Sequence, residues 1–149
     1  MALVTTAGTE TLHAHHFEDL SSATTQNLIV GVQHHIYTVL SIICFTNQAH
    51  ATSNKILLWV GGYDLQAGST ARDFYIFQQP MVSGSTFVWN DKFSFNGYEP
   101  VDQSASLDAA GQIAVAAQGS GVPQTLSFSS EHADTDTQLT ITYIDQNNS

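Results

Sequence analysis

The histidines near the start of the chain are the side chains whose type and spacing could most directly support chemistry. His13 and His15 are two positions apart, and side chains two apart on a β-strand project from the same face. Two imidazoles placed in this way could share a transition metal, with Glu10 or Glu18 as a carboxylate ligand. The same spacing suits a polar edge strand whose imidazoles hydrogen-bond to neighbouring groups, and it specifies no third ligand. We therefore expect no bound metal or cofactor, and His13 and His15 are the residues at which a metal would be sought.

The sequence contains no local pattern for a catalytic nucleophile. A serine held on a sharp strand-to-helix turn needs a glycine two positions away on each side, and neither Ser85 nor Ser120 has them. The single cysteine, Cys44, lies in an apolar segment without a nearby cation, where a thiol is a small and inert hydrophobic side chain. One cysteine also excludes an internal disulfide and a multi-cysteine zinc site. The sequence predicts a protein that is not an enzyme.

Aromatic side chains are concentrated in the middle of the chain. Of the 15 aromatic residues, ten lie between positions 59 and 98. On a strand, Tyr75 and Phe77 fall on the face opposite Phe74. Apolar groups on both faces of one strand predict either a sheet that is covered on both sides or an exposed apolar patch. We expect burial against other subunits at five aromatic side chains, those of Trp59, Tyr75, Phe77, Phe87 and Trp89.

Short segments rich in β-branched and aromatic residues, separated by turn-forming residues, must position these groups. The segments span residues 26–32, 36–45, 55–60, 72–78, 87–89, 92–95, 113–117, 125–129 and 138–144. This pattern predicts an all-β protein with a single antiparallel β-sandwich, or jelly-roll-like domain, over residues 26–149. Residues 1–25 are Thr-rich and poor in large apolar groups, which predicts an extended N-terminal arm or an edge strand. A single short helix fits best at residues 17–22 or 104–110.

The longest apolar segment, residues 36–45, carries apolar groups at both odd and even positions. Strict alternation places Ile43 and Phe45 on the same face as Tyr37. Leu40 then falls on the other face. Such a pattern is typical of a central strand that is covered on both sides. It predicts that Leu40→Asp prevents soluble folding, because an unpaired buried charge costs several kcal/mol.

Charge and composition exclude several classes of partner. Three basic residues stand against 13 acidic ones, for a formal net charge of −10, and this charge repels nucleic acid and anionic lipid. Charged residues make up 11% of the chain, whereas 50 of the 149 residues are Ser, Thr, Asn or Gln. We find no secretory signal at the N-terminus, and the longest apolar segment is too short to cross a bilayer. We therefore expect a protein that is made in a cytoplasm and binds neither nucleic acid nor membrane.

The order of these segments resembles that of small β-rich virion proteins of tailed bacteriophages, notably the head decoration (cement) proteins. A long apolar strand at 36–45 is followed by a polar turn, a second strand and a Gly-rich loop. An aromatic strand then runs into Pro80, a hairpin at Asn90-Asp91 joins two short aromatic strands, and a Thr-alternating strand closes the chain. The resemblance implies a decoration protein on the capsid surface of the virion, which docks on the assembled lattice and clamps neighbouring major capsid subunits. It also implies a homo-oligomer, a trimer or a dimer, with residues 1–25 reaching a neighbour.

Two other functions fit the same sequence. A carbohydrate- or receptor-binding β-sandwich module requires a solvent-facing Trp or Tyr that stacks on a sugar ring, with Trp59 and Trp89 as the first residues to test. A neck, tail or fibre protein of a virion could be built on the same sandwich. These functions differ from capsid decoration in where the aromatic side chains lie and in whether the chain copurifies with particle heads.

Overall fold

The structure, a computed structural model, describes residues 8–21, 25–63, 72–98, 110 and 123–148. Within these residues the chain forms nine β-strands. The strands are β1 (Thr9–Leu20), β2 (Gln26–Val30), β3 (His35–Gln48), β4 (Lys55–Tyr63), β5 (Arg72–Pro80), β6 (Ser85–Trp89), β7 (Phe93–Asn96), β8 (Thr125–Ser130) and β9 (Asp136–Asn147). The strand expected at 113–117 lies outside the described residues, as does the helix expected at 104–110 apart from residue 110. In the described part of the chain, no helix has the length and apolar character needed to span a membrane.

The strands pair into two antiparallel sheets whose order is that of a jelly roll. The first sheet has the order β1-β9-β3-β6, with β7 also paired to β3, and the second sheet has the order β2-β8-β4-β5. The pairs nest along the chain, since β1 pairs with β9, β2 with β8, β3 with β6 and β7, and β4 with β5. This nesting arises when one long antiparallel hairpin folds over so that successive strand pairs fall alternately in two packed sheets, which is the jelly-roll topology. The predicted all-β antiparallel sandwich is confirmed.

The core lies between the sheets and consists of inward-facing side chains. Those with 0% exposure include Ile42, Cys44, Leu139 and Ile141 from the first sheet, and Ile56, Leu58, Leu126 and Phe128 from the second. Burial of each large apolar side chain contributes roughly 1.5–3 kcal/mol, so these rows hold the two sheets together. The interpretation of Cys44 as a buried hydrophobic side chain is confirmed, and burial raises the pKa of its thiol to about 12.

β3 does not keep the strict alternation that its sequence predicts. Its register with β9 shifts between Val39 and Ser41, so Leu40 is an extra residue, and the side chains after such a bulge change faces. The buried side chains of β3 are those of Tyr37, Val39, Ile42, Cys44 and Thr46. The prediction that Ile43 and Phe45 share the face of the earlier buried residues is therefore wrong. They are 45% and 36% exposed, on the outer face of the first sheet.

The two short strands β6 and β7 do not form the hairpin predicted at Asn90-Asp91. Both pair antiparallel with β3, β6 along Ile42–Thr46 and β7 along Ile36–Val39, so they follow one another along the same edge. The exposed residues 90–92 between them form a bulge with one more residue than the facing part of β3. The prediction failed because polar residues between two strand-like segments suit a bulge as well as a turn.

The N-terminal segment contains the edge strand of the first sheet. β1 pairs with β9 from Thr9 to Leu20, which contradicts the short helix expected at 17–22. The register shifts between Phe17 and Leu20, where Asp19 adopts a left-handed φ of 56°, a conformation that Asp tolerates better than most residues. Residues 1–7 and 22–24 lie outside the described residues, so an arm that reaches a neighbour stays a prediction.

Candidate functional site

The five aromatic side chains predicted to meet other subunits fall into two groups. Phe77 is 8% exposed, and Phe87 and Trp89 pack against the core. Their rings meet between β5 and β6, with centroids 5.0 Å apart for Phe77 and Phe87 and 5.9 Å apart for Phe77 and Trp89. These three rings close one side of the sandwich within the chain. Phe77 has too little exposed surface to meet another subunit, which corrects the prediction at that residue.

Trp59 and Tyr75 lie instead on the outer face of the second sheet. A register shift between β4 and β5 pairs Leu58 with Phe77 but Trp59 with Tyr75, so Ile76 is an extra residue. This bulge turns Tyr75 outward while Phe77 points inward, which corrects the prediction that the two share a face. The rings of Trp59 and Tyr75 have centroids 5.7 Å apart and are tilted by 48°. Tyr75 is 45% exposed, so this pair is available to a ligand or partner.

His13 and His15 share one face of β1, as predicted, but the groups around them are not the expected ligands. Their ring centroids are 6.3 Å apart, and His13 stacks on Tyr143 with centroids 5.1 Å apart. Glu10 and Glu18 occupy even-numbered positions, which alternate to the opposite face of the strand. From these positions the two carboxylates cannot complete a metal site with the two imidazoles.

A second group of titratable side chains lies on the neighbouring strands of the first sheet. His35 Nδ1 donates to Asp145 Oδ1 at 2.6 Å, and the Tyr37 hydroxyl accepts the Val32 N–H at 3.1 Å. Burial raises the pKa of Tyr37 to about 12, and the Asp145 carboxylate adds to the shift. Burial likewise raises the pKa of Tyr143. Both phenols are therefore protonated at neutral pH; both rings serve in packing, and the Tyr37 hydroxyl also accepts a hydrogen bond.

The structure brings together a different set of potential metal ligands, which the sequence did not reveal. One ring nitrogen of His50, one of His132 and a carboxylate oxygen of Asp134 all lie within 4.8 Å of one another. The pairing of Gln48 with Asp136 at the end of the β3–β9 ladder places the loop after β3 beside the β8–β9 turn. No sequence spacing links residues so far apart, and only the register of β3 on β9 could have indicated the cluster.

The side chains of this histidine cluster hold the two turns by hydrogen bonds and ring stacking, and they are not arranged as a metal centre. His50 Nδ1 accepts the Ser53 N–H at 3.0 Å, and His132 Nδ1 accepts the Asp134 N–H at 3.1 Å. These bonds occupy the lone pairs that a metal would need and leave the ring proton on Nε2. The rings are also stacked, with centroids 3.9 Å apart and planes 23° apart, whereas an ion bound by both must lie near the plane of each. Metal binding would therefore require both rings to rotate and to break their hydrogen bonds to the Ser53 and Asp134 N–H groups.

Exposed apolar side chains gather on the outer face of the first sheet. Ile43 on β3 and Val88 on β6 are cross-strand partners, 45% and 51% exposed. Phe45 follows on the same face of β3, and Leu12 on β1 is 69% exposed. Leu40, the bulged residue of β3, lies beside Leu12. We call these five residues, Leu12, Leu40, Ile43, Phe45 and Val88, the outer patch.

A shallow depression and an acidic border complete the outer patch. The depression has a volume of about 390 Å³ and is lined by Glu10, Thr11, Leu12, Leu40 and Ile144. Glu10 and Glu18 are exposed on β1, and none of the strands of the first sheet contains Lys or Arg. Clusters of exposed apolar side chains on one sheet face are candidate interaction sites. The fold and the site thus define a jelly-roll β-sandwich with one apolar, acid-bordered outer face.

Comparison with known proteins assigns no family to this chain. No protein-family model matches it, and no curated protein matches it. A solved structure described as "Bacillus endospore appendages form a novel family of disulfide-linked pili" is similar over 100% of both chains, with 12% sequence identity and a TM-score of 0.40. A likeness at this level assigns no function, partner or location to this protein.

Proposed function

We propose that this protein is a structural virion subunit, and that it decorates the capsid head by docking its outer patch on the assembled lattice of major capsid subunits. The observation that carries the proposal is the exposure of Ile43, Phe45 and Val88 side by side on one sheet face. Burial of such side chains against a neighbour contributes roughly 25 cal/mol for each Å² of apolar surface removed from water. The resemblance of the strand order to head decoration proteins supports the same function.

Charge indicates which partner suits the outer patch. Glu10 lines the depression of the patch, Glu18 is exposed on the same strand beside His16, and the whole chain has a formal net charge of −10. A second copy docked through the same face would bring like charges together, which disfavours that pairing. We therefore assign the patch to a capsid subunit that presents an apolar surface bordered by Lys or Arg. A homo-oligomer of this protein, a trimer or a dimer, would use other surfaces.

Decoration of this kind stabilises a capsid by mass action. A protein that binds the assembled lattice but not its free subunits stabilises the lattice by about 2.7 kcal/mol per site at a hundredfold excess over Kd. The mechanism needs a stable docking face, and no reaction. Three of the five residues of the outer patch, Leu40, Ile43 and Phe45, lie on β3, which like β9 pairs on both sides in the first sheet, so most of the docking surface belongs to an interior strand.

The location of the chain is the direct test of this proposal. Virus particles purified away from free protein should contain the chain in a fixed ratio to the major capsid protein, and antibodies against it should label the head. Label confined to the neck, tail or fibres would favour the alternative virion function. Absence of the chain from purified particles would refute the virion function altogether.

A surface variant tests the docking face separately from location. The double variant Ile43→Ser, Val88→Ser should fold like the wild type, since both side chains are about half exposed. It should bind undecorated particles at least about tenfold more weakly, a loss of about 1.4 kcal/mol or more. Val82→Ser is the matched control, because Val82 is 71% exposed in the β5–β6 turn, outside the patch. Wild-type affinity in the double variant would remove the outer patch from the proposal.

A further inference from the structure

The outer face of the second sheet carries another site, which docking through the outer patch does not use. Trp59 pairs with Tyr75 across β4 and β5, and Gly61 pairs with Asp73 in the next outward-facing row. Side chains in adjacent rows of one sheet face are close enough to contact the same ligand. We call these four residues the aromatic cleft; the rings of Trp59 and Tyr75 pack against each other at one side of it, and Asp73 lies beside them.

Gly61 forms the floor of the aromatic cleft. A Cβ atom at Gly61 would lie 3.1 Å from Asp73 Oδ1 and 3.9 Å from Trp59 Cδ1. The carboxylate and the edge of the indole therefore converge over one stretch of backbone that has no side chain of its own. The absence of a side chain at Gly61 lets the Asp73 carboxylate lie close to the backbone beside Trp59, and an added side chain would displace it.

We infer that the aromatic cleft binds a neutral saccharide. Aromatic side chains such as Trp59 and Tyr75 offer large, rigid faces for contact with the apolar C–H face of a sugar ring, and the Asp73 carboxylate can accept hydrogen bonds from more than one hydroxyl group. Ser127 lies opposite Trp59 on β8, and its hydroxyl donates to Asn27 Oδ1 at 3.1 Å. Ser127 is only 5% exposed, so this hydrogen bond belongs to the packing beside Trp59, and Asp73 is the polar group of the cleft that a ligand can reach.

The chemistry of the aromatic cleft disfavours other ligands. A nucleic acid would bring phosphates to a chain with a formal net charge of −10 and to the Asp73 carboxylate. A cation over an exposed ring gains only about 0.5–1 kcal/mol, because it keeps its hydration, and the cleft is open, with Tyr75 45% exposed. An apolar peptide would strip water from Asp73 without replacing its hydrogen bonds. A sugar can stack its C–H face on the rings and at the same time donate hydroxyl hydrogen bonds to the carboxylate.

The aromatic cleft lies on the sheet face opposite the outer patch, so it would remain accessible on a decorated particle. The outer faces of the two sheets of a sandwich point in opposite directions. A protein docked through its first sheet would therefore present the cleft to the surroundings, where it could hold surface polysaccharide. This orientation rests on the proposed function, whereas saccharide binding itself does not.

Titration with defined oligosaccharides tests the inference. We expect isothermal titration calorimetry to show saturable binding to at least one of maltohexaose, cellohexaose, mannohexaose and chitohexaose. Trp59→Ala and Tyr75→Ala should weaken that binding at least about tenfold, which corresponds to about 1.4 kcal/mol. Gly61→Ala should also weaken it while the fold persists, since the added methyl group meets the end of the flexible Asp73 side chain. This variant keeps the test informative if Trp59→Ala fails to fold.

Phe45→Ala is the matched control, because it removes a partly exposed ring from the opposite face of the sandwich. It should keep saccharide binding and lose particle attachment, while the cleft variants should do the reverse, so the two proposals can fail independently. The inference is overturned if the wild type binds none of the four oligosaccharides, or if the cleft variants bind as tightly as the wild type. Preferential binding of tetramethylammonium or an oligonucleotide at the cleft also overturns it.

Discussion

The imidazole rings of His50 and His132 stack 3.9 Å apart and join the loop after β3 to the β8–β9 turn. Thr135 also links the two segments. Its side chain is fully buried, and its hydroxyl accepts a hydrogen bond from the His50 backbone N–H and donates one to the Ser53 carbonyl, each at 3.1 Å. Side chains from each turn thus contact the other turn. This end of the sandwich is held together by groups that belong to no strand ladder.

Removal of either histidine should destabilise the fold measurably. We expect His50→Ala and His132→Ala each to lower the free energy of unfolding by about 0.5–1.5 kcal/mol, because each removes the acceptor of a backbone N–H, at Ser53 or Asp134. Urea denaturation followed by fluorescence measures the change. His16→Ala is the control, since His16 is an exposed residue on β1, and it should change stability by less than about 0.5 kcal/mol.

The same variants test whether the histidine cluster takes a metal. An equimolar addition of Zn²⁺ should leave the melting temperature of the wild type unchanged, because the stacked rings present no shared coordination position. A stabilisation that both cluster variants abolish and His16→Ala retains would contradict this expectation. It would show that the rings rotate to coordinate the ion.

The bulge in β3 predicts opposite outcomes for two neighbouring charge substitutions. Leu40→Asp should yield folded protein, because Leu40 borders the outer depression and its replacement can reach water. Ile42→Asp should not, because Ile42 is 0% exposed and an unpaired charge there costs several kcal/mol. Soluble yield and circular dichroism distinguish the two. Strict alternation predicts instead that Leu40→Asp prevents soluble folding. An insoluble Leu40→Asp variant would support that prediction and contradict the bulge-based one.

Stability should fall as the pH rises above about 9. Burial raises the pKa of Cys44 from 9.0 to about 12 and that of Tyr37 from 10.0 to about 12. The unfolded chain releases these protons at lower pH than the folded chain does, so alkaline conditions favour unfolding. Urea denaturation in half-unit steps from pH 8 should show a declining free energy of unfolding. Tyr37→Phe should remove the part of the decline that begins near pH 10, and a flat profile in the wild type would contradict the prediction.

A crossing of backbone segments makes two glycines irreplaceable. The Gly31 N–H donates to the Gln124 carbonyl at 2.8 Å, and the Gln124 N–H donates to the Gly97 carbonyl at 2.9 Å. A Cβ atom on Gly31 would overlap the Gly97 carbonyl, and one on Gly97 would overlap the Val32 carbonyl. We expect either Gly→Ala variant to lose about 3 kcal/mol or more by thermal or urea denaturation. Gly61→Ala is the control, and an equal loss there would show that the crossing is not the cause.

The fold was predictable from sequence because its signals are local. The alternation of Leu139, Ile141 and Tyr143 with threonines identifies β9 and its inward face without knowledge of its neighbours. The errors about which side chains are buried arose at two bulges, at Leu40 and Ile76, where one extra residue reverses the faces of the strand. A bulge depends on how two strands match in length and register, so neither sequence segment alone indicates it.

The candidate sites were predictable only in part, for the same reason. Trp59 and Tyr75 were expected to be available to partners, but Gly61 and Asp73 join them only through the pairing of β4 with β5. The outer patch likewise follows from the shift at Leu40, which exposes side chains that alternation would bury.

The interruption between β6 and β7 limits how this protein can grow into larger structures. An unbroken edge would offer a sister chain a continuous row of N–H and C=O groups on which to add strand after strand. Here the extra residue breaks that template, and Asp91 and Lys92 place charges beside it. Fibre-like extension is therefore blocked at this border, and any assembly across it must join completed domains through their side-chain surfaces.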